Sequence, residues 1–191
     1  MSNYRNKLNE YFKTIAIKAD KVLSIGIDVD DRTFFKSFEA KEFETMDIDE
    51  EKHPTYVFDI NKQLLDDNGD MSINNDLYEK FDVVLFINLF DYVYDPMAVH
   101  KNLRHLLKPG GLLITNYPFV YPIHKPLGVD YLRYTKNAVN KYLSKTGFDI
   151  LDRVDILGND LLLDFYQLDG MKKTPDDDHR VIGYIVQAKK I

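Results

Sequence analysis

The chain has 191 residues, 45% hydrophobic and 29% charged, a balance that supports a substantial core and argues against disorder. Its net charge of −6 speaks against broad nucleic-acid binding, which needs a positive surface, and the lack of cysteine excludes disulfides, zinc ribbons and thiol nucleophiles. No run approaches the roughly 20 apolar residues of a membrane span, and the amphipathic start lacks a signal-type apolar segment. The expectation is a cytoplasmic protein with one domain over residues 1–191 and neither a nucleic-acid nor a membrane partner.

Tyr4, Leu8, Tyr11, Phe12, Ile15 and Ala19 recur at helical spacing among Arg5, Lys7, Glu10 and Lys13, which predicts a leading helix over 4–19 packed on a sheet. Residues 21–26 follow as a first strand and its turn. Phe34, Phe35 and Phe38 share one face of a crossover helix over 32–40. A short second strand, 43–46, ends at Asp47-Ile48-Asp49, and a third, 56–58, ends at Asp59-Ile60. The polar stretch 66–76, rich in turn formers, is an exposed connection.

Residues 81–118 carry the best-marked boundaries. Val83, Val84, Leu85, Phe86 and Ile87 form an unbroken apolar run, as in a parallel strand covered on both faces. Asp95-Pro96 opens a helix, the Asp capping orphan N–H groups and the Pro giving up a donor that lacks an intrahelical partner. Leu103, Leu106 and Leu107 give it an apolar stripe, Lys108 sits in its last turn, and Pro109-Gly110-Gly111 turns the chain into a strand from Leu112 to Thr115. His100 and His105 on this helix read as surface residues, and no metal-ligand spacing stands out.

Past Pro118, FVYPIHKPLGVDYLRY is a long loop rich in aromatic and ionisable residues, of the kind that often carries function. Thr135 caps a helix bearing Val139, Tyr142 and Leu143 that Gly147 ends. Strands at 148–154 and 181–188 flank a short helix at 161–168 and the loop QLDGMKKTPDDDH. The alternation describes an α/β sandwich around a mostly parallel sheet. Residues 1–20 lead, 21–154 form the core and 155–191 the C-terminal strand region.

FDVVLFINLFDYVYDP with LLKPGGLLITNYPF resembles the fourth strand, following helix and fifth strand of the class I S-adenosylmethionine-dependent methyltransferases, and YPIHKPLGVDYLRYTKNAVNKYLSKTGF resembles a recurrent segment of a small stand-alone branch. The resemblance covers about residues 20–154. It implies a Rossmann-like three-layer sandwich with a seven-stranded sheet in the order 3-2-1-4-5-7-6, strand 7 antiparallel, and S-adenosylmethionine as cofactor, leaving S-adenosylhomocysteine as product. Carried across, Asp47 accepts from the ribose hydroxyls, Ile48 flanks adenine, Asp59 and Ile60 meet its edge, and Asn88 with Leu89 lines the methionine end and the transfer site. Gly26 and Asp28 fall in the first motif. There the family repeats Gly, whereas this chain runs Ser24, Gly26, Asp28, Asp30; either Asp repels the cofactor carboxylate or pairs with its ammonium.

The implied activity is methyl transfer to a small polar acceptor, an oxygen of a glycan precursor or similar metabolite. His124 is the candidate base, since a histidine with an ordinary pKa near 6.5 is neutral at pH 7. Tyr121, Asp130, Tyr131 and Arg133 are candidates for the acceptor wall, although Asp130 and Arg133 equally suit a pair that fixes the loop. The altered first motif keeps open a non-catalytic binding or assembly protein on the same fold.

Overall fold

The computed structural model describes residues 3–26, 38–65, 75–123, 129–158 and 180–191. Seven strands form one sheet: β1 (Ile17–Ile25), β2 (Phe38–Asp47), β3 (Tyr56–Val57), β4 (Phe81–Phe86), β5 (Leu107–Pro118), β6 (Phe148–Leu157) and β7 (Val181–Lys190). Their order is β3-β2-β1-β4-β5-β7-β6. All neighbours run parallel except β7, which is antiparallel to both β5 and β6. Among the described residues the α-helices are α1 (Asn3–Thr14), α2 (Pro96–Leu106) and α3 (Lys136–Lys145). The expectations for Asp28, Asp30 and His124, for the helix at 161–168, and for most of the loops at 66–76 and 167–179 lie outside the described residues.

The unbroken apolar run of β4 is explained by burial on both faces. Val83 and Leu85 join Tyr4, Leu8, Tyr11 and Phe12 of α1, while Val84 and Phe86 join Val99, Leu103 and Leu106 of α2 and Val139 and Leu143 of α3. Hydrophobic burial of such side chains stabilises by about 1.5–3 kcal/mol each. The two layers therefore hold the strand ends in fixed positions.

Three boundaries differ from the sequence expectation. Helix α1 stops at Thr14 and β1 begins at Ile17, where Ile17 and Ala19 are sheltered while Lys18 and Asp20 are exposed, a period of two that belongs to a strand. Residues 38–40, expected in a crossover helix, open β2, where Phe38 pairs with Ile17 and Ala40 with Ala19. Helix α2 ends at Leu106, so Lys108 lies in β5 and its Nζ meets Asp82 Oδ1 at 2.6 Å. Between the pairs Phe81–Leu107 and Val83–Leu112 the β5 chain takes five steps to β4's two, bulging over 108–111 with Gly110 at φ +77°. The cap readings hold: Asp95 accepts from the Ala98 N–H and Thr135 Oγ1 from the Ala138 N–H.

Candidate functional site

Strand order reverses at β1, with β2 on one side and β4 on the other, so the crevice beyond the carboxyl ends of β1 and β4 is where a ligand fits this topology. Gly26 is the first residue past β1 and adopts φ +72°. Its N–H donates to Met46 O at 2.8 Å, and a Cβ there would lie 2.6 Å from Leu89 Cδ2. The positive φ favours glycine, and the close approach of the Leu89 side chain shows the turn after β1 packed against the loop after β4.

Asp47 ends β2 and is only 4% exposed. Its Oδ1 accepts from the Asp49 N–H at 2.9 Å, and its Oδ2 pairs with Lys52 Nζ at 3.1 Å. These short-range bonds hold both carboxylate oxygens at the carboxyl edge of the sheet. Beside it, Ile48 and Val57 are exposed apolar side chains at the same sheet edge, Val57 lying opposite Asp47 in register. Asp59 Oδ1 accepts from the Asn61 N–H at 3.0 Å, a local turn, and Ile60 packs on the core.

This loop is stapled from α2. Buried Asn102 donates to Ile60 O and Lys62 O and accepts from the Leu64 N–H, at 2.9, 2.7 and 3.1 Å. Asn61 in turn donates to Tyr92 O and accepts from the Tyr94 N–H, joining the loops after β3 and β4. Neither asparagine was singled out in the sequence. A polar residue on the apolar stripe of α2 is the only signal that points to Asn102.

At the end of β4, Asn88 adopts φ +56°, a left-handed conformation that asparagine tolerates better than most residues. It faces Asn116 of β5: the Asn88 N–H donates to Asn116 Oδ1 at 2.7 Å, and Asn116 Nδ2 donates to Asn88 Oδ1 at 2.9 Å and to Tyr4 OH at 2.8 Å. Tyr4 comes from α1, and burial holds its phenol well above the usual range, so it stays protonated. Its ring also meets Tyr121 edge-on at 5.5 Å. Gly183 makes room, since a Cβ there would lie 2.5 Å from Tyr4 Cε2.

A buried aromatic layer supports this loop. Phe90 stacks on Tyr117 at 4.3 Å and on His100 at 4.8 Å. His100 is fully buried, which corrects its reading as a surface residue, and His105 is half-buried. A carbonyl oxygen can only accept, so His100 Nδ1–H donates to Pro96 O at 2.6 Å, and Nε2 accepts from Tyr117 OH at 2.8 Å. Burial lowers the imidazole to about 4, so it is neutral at pH 7.

On the acceptor side, Arg133 grips its own loop. Nη1 and Nη2 hold Asp130 at 2.5 and 2.8 Å, and further bonds reach Leu132 O, Tyr121 O and Pro122 O. With Nε on Tyr121 O, the five guanidinium donors are engaged and none remains for a phosphate. The structure thus shows the pairing alternative, with Asp130 only 4% exposed and the Arg133 pKa raised by its hydrogen bonds to that carboxylate. Half-exposed Tyr131 meets Tyr94, itself about half exposed, edge-on at 5.8 Å. A shallow concavity lined by Lys18, Asp20, Glu39, Lys41 and Asp82 lies at the other end of the strands, where exposed ion pairs Lys18–Glu39 and Asp20–Lys41 cross from β1 to β2.

A seven-stranded sheet of this order, with a carboxylate at the end of β2 and a tight glycine turn after β1, defines the class I methyltransferase fold. Residues 44–115 match the family model described as methyltransferase domain. An S-adenosylmethionine-dependent methyltransferase from Mesorhizobium loti is similar at 14% identity, with 96% of each chain covered and a TM-score of 0.63. The N-methyltransferase NodS from Bradyrhizobium japonicum, solved with S-adenosylhomocysteine, is similar at 14% identity over 98% of this chain and 86% of that one, with a TM-score of 0.58. A methyltransferase from Methanosarcina mazei matches at 14% identity over 90% and 92%, with a TM-score of 0.55. No curated protein matches the chain. The chain thus has the class I methyltransferase fold, and its residues 44–115 carry the methyltransferase-domain match. No described helix is long and apolar enough to cross a membrane.

Proposed function

We propose that the protein transfers a methyl group from S-adenosylmethionine to an oxygen of a small polar acceptor, a glycan precursor or similar metabolite. The observation that carries the cofactor reading is buried Asp47 with exposed Ile48 and Val57 beside it, an acceptor for a diol next to a surface for a flat ring at the switch point of the sheet. Asp47 holds the ribose, Ile48 and Val57 flank adenine, and Asp59 with Ile60 meets its edge. Gly26, Asp28, Asn88 and Leu89 face the methionine end.

When bound, the cofactor supplies a methyl carbon on a sulfonium, already electrophilic. The chain's part is then to align an acceptor and take its proton. His124 is the proposed base. The Arg133–Asp130 clasp ties residues 130–133 to the carbonyls of Tyr121 and Pro122, and Tyr131 with Tyr94 offers ring faces on which a sugar can stack. The net charge of −6 favours a small acceptor over nucleic acid.

Calorimetric titration with S-adenosylmethionine and S-adenosylhomocysteine tests this reading. Asp47→Ala is expected to weaken binding by about 1–3 kcal/mol, the cost of stranding polar groups. Equal affinity in the variant removes Asp47 from the site, and no binding to the unaltered protein at millimolar ligand overturns the reading.

A further inference from the structure

The polarity of the crevice at Asn88 follows from one backbone atom. A backbone N–H can only donate, so the Asn116 atom 2.7 Å from the Asn88 nitrogen is its oxygen, Oδ1. The other end of that amide is therefore the NH2 group, and its two hydrogens go to Tyr4 OH and to Asn88. The Asn88 atom that receives one of them must be Oδ1. By elimination the Asn88 NH2 is turned away from Asn116, and it donates to no hydrogen-bond partner among the described residues. Asn116 is 1% exposed and Tyr4 5%, so this arrangement is fixed from inside the protein rather than by solvent.

We infer that Asn88 presents an N–H donor to the ligand, and that the methyl acceptor is accordingly an oxygen and not an amine; this rests on the cofactor reading above. An amine has a single lone pair, and a hydrogen bond from Asn88 would occupy the pair needed for attack. Oxygen has two. One accepts from Asn88 while the other forms the new C–O bond as the C–S bond breaks; sulfur keeps the bonding pair and the hydroxyl proton passes to a base. Asn116 and Tyr4 are positioning residues in this scheme, which makes α1 part of the transfer site as well as its cover.

Sinefungin supplies the probe, because in it an amine-bearing carbon replaces the sulfur and its methyl group and places a donor where the methyl would lie. Its affinity relative to S-adenosylhomocysteine is measured by calorimetry for three proteins. The unaltered chain is expected to favour S-adenosylhomocysteine by about tenfold, the worth of one hydrogen bond. Asn88→Asp keeps the acceptor for Asn116 and puts an oxygen toward the ligand, so it shifts the ratio toward sinefungin by about tenfold or more. Asn116→Asp accepts from both Asn88 nitrogens and turns Asn88 Oδ1 outward, so it shifts the ratio the same way without touching the ligand, an effect that mere loss of packing does not produce. If Asn116→Asp fails to fold, Asn88→Asp decides. Sinefungin binding as tightly as S-adenosylhomocysteine to the unaltered chain, or a ratio unmoved by Asn88→Asp, overturns the inference. Failure of both ligands to bind the unaltered chain overturns the cofactor reading and the inference with it.

Discussion

His100 should make this protein lose stability in mild acid, before its carboxylates titrate. Its ring is fully buried between Phe90, Tyr117 and Tyr142, with both nitrogens satisfied in the neutral form. Its pKa falls from 6.5 to about 4 on folding, so the unfolded chain binds the proton more tightly. The stabilisation is present in full above pH 6.5 and is lost as pH falls from there toward 4. The whole interval spans about 3 kcal/mol, of which about 1.4 kcal/mol falls between pH 7.5 and 5.5. His100→Gln removes the titration. Urea unfolding at pH 7.5, 6.5 and 5.5 measures the difference: the variant is less stable at pH 7.5 through lost stacking, but its stability falls less on acidification, by that 1.4 kcal/mol. Parallel pH dependences in the two proteins would refute the argument.

Two further perturbations probe the cofactor edge and the acceptor loop. Lys52 Nζ sits on Asp47 Oδ2 with its side chain 42% exposed, so it competes with a diol at little structural cost. Lys52→Ala is expected to tighten S-adenosylhomocysteine binding by up to about 1 kcal/mol, with a weaker salt dependence, and weaker binding would show that Lys52 contacts the ligand instead. Arg133→Met strands the Asp130 carboxylate, which is 4% exposed, and should cost about 2–4 kcal/mol, discounted because Arg133 is itself a quarter exposed. Chemical denaturation reads that loss, and adding Asp130→Asn should recover part of it; no recovery would mean that the pair is not what holds the loop.

The fold was legible because its signals are local and redundant. The apolar run at 83–87, the Asp95-Pro96 start and the Thr135 cap each mark a boundary within a few residues, and together they describe a parallel sheet between helices. The errors came where two periods overlap. Ala19 fits the helical stripe that begins at Tyr4, yet with Ile17 it also fits an alternation, and pairing with β2 decides for the strand. Likewise Pro109-Gly110-Gly111 looks like a helix stop, and what it makes is a bulge inside β5.

The candidate site was legible only at strand ends, where Asp47, Asp59 and Asn88 follow apolar runs and topology gives the edge a meaning. What orients those residues comes from far along the chain. Tyr4 and Asn116 are 112 positions apart, and Asn102 reaches back 42 to Ile60, so no window of sequence shows either partnership. Arg133 and Asp130 illustrate the opposite difficulty: three residues apart, they fit a ligand site and a loop clasp equally well, and only the carbonyls of Tyr121, Pro122 and Leu132 decide between them by taking up the remaining donors. The same logic governs Asn88. Its side chain alone can donate or accept, and a fold class does not choose. The choice is made by a backbone N–H whose polarity no substitution can reverse, relayed through one buried amide. The sign of the hydrogen bond offered to a ligand at Asn88 is thus a property of the sheet end itself, and chemistry at this position should be changed most readily through Asn116, which sets that sign without touching the ligand.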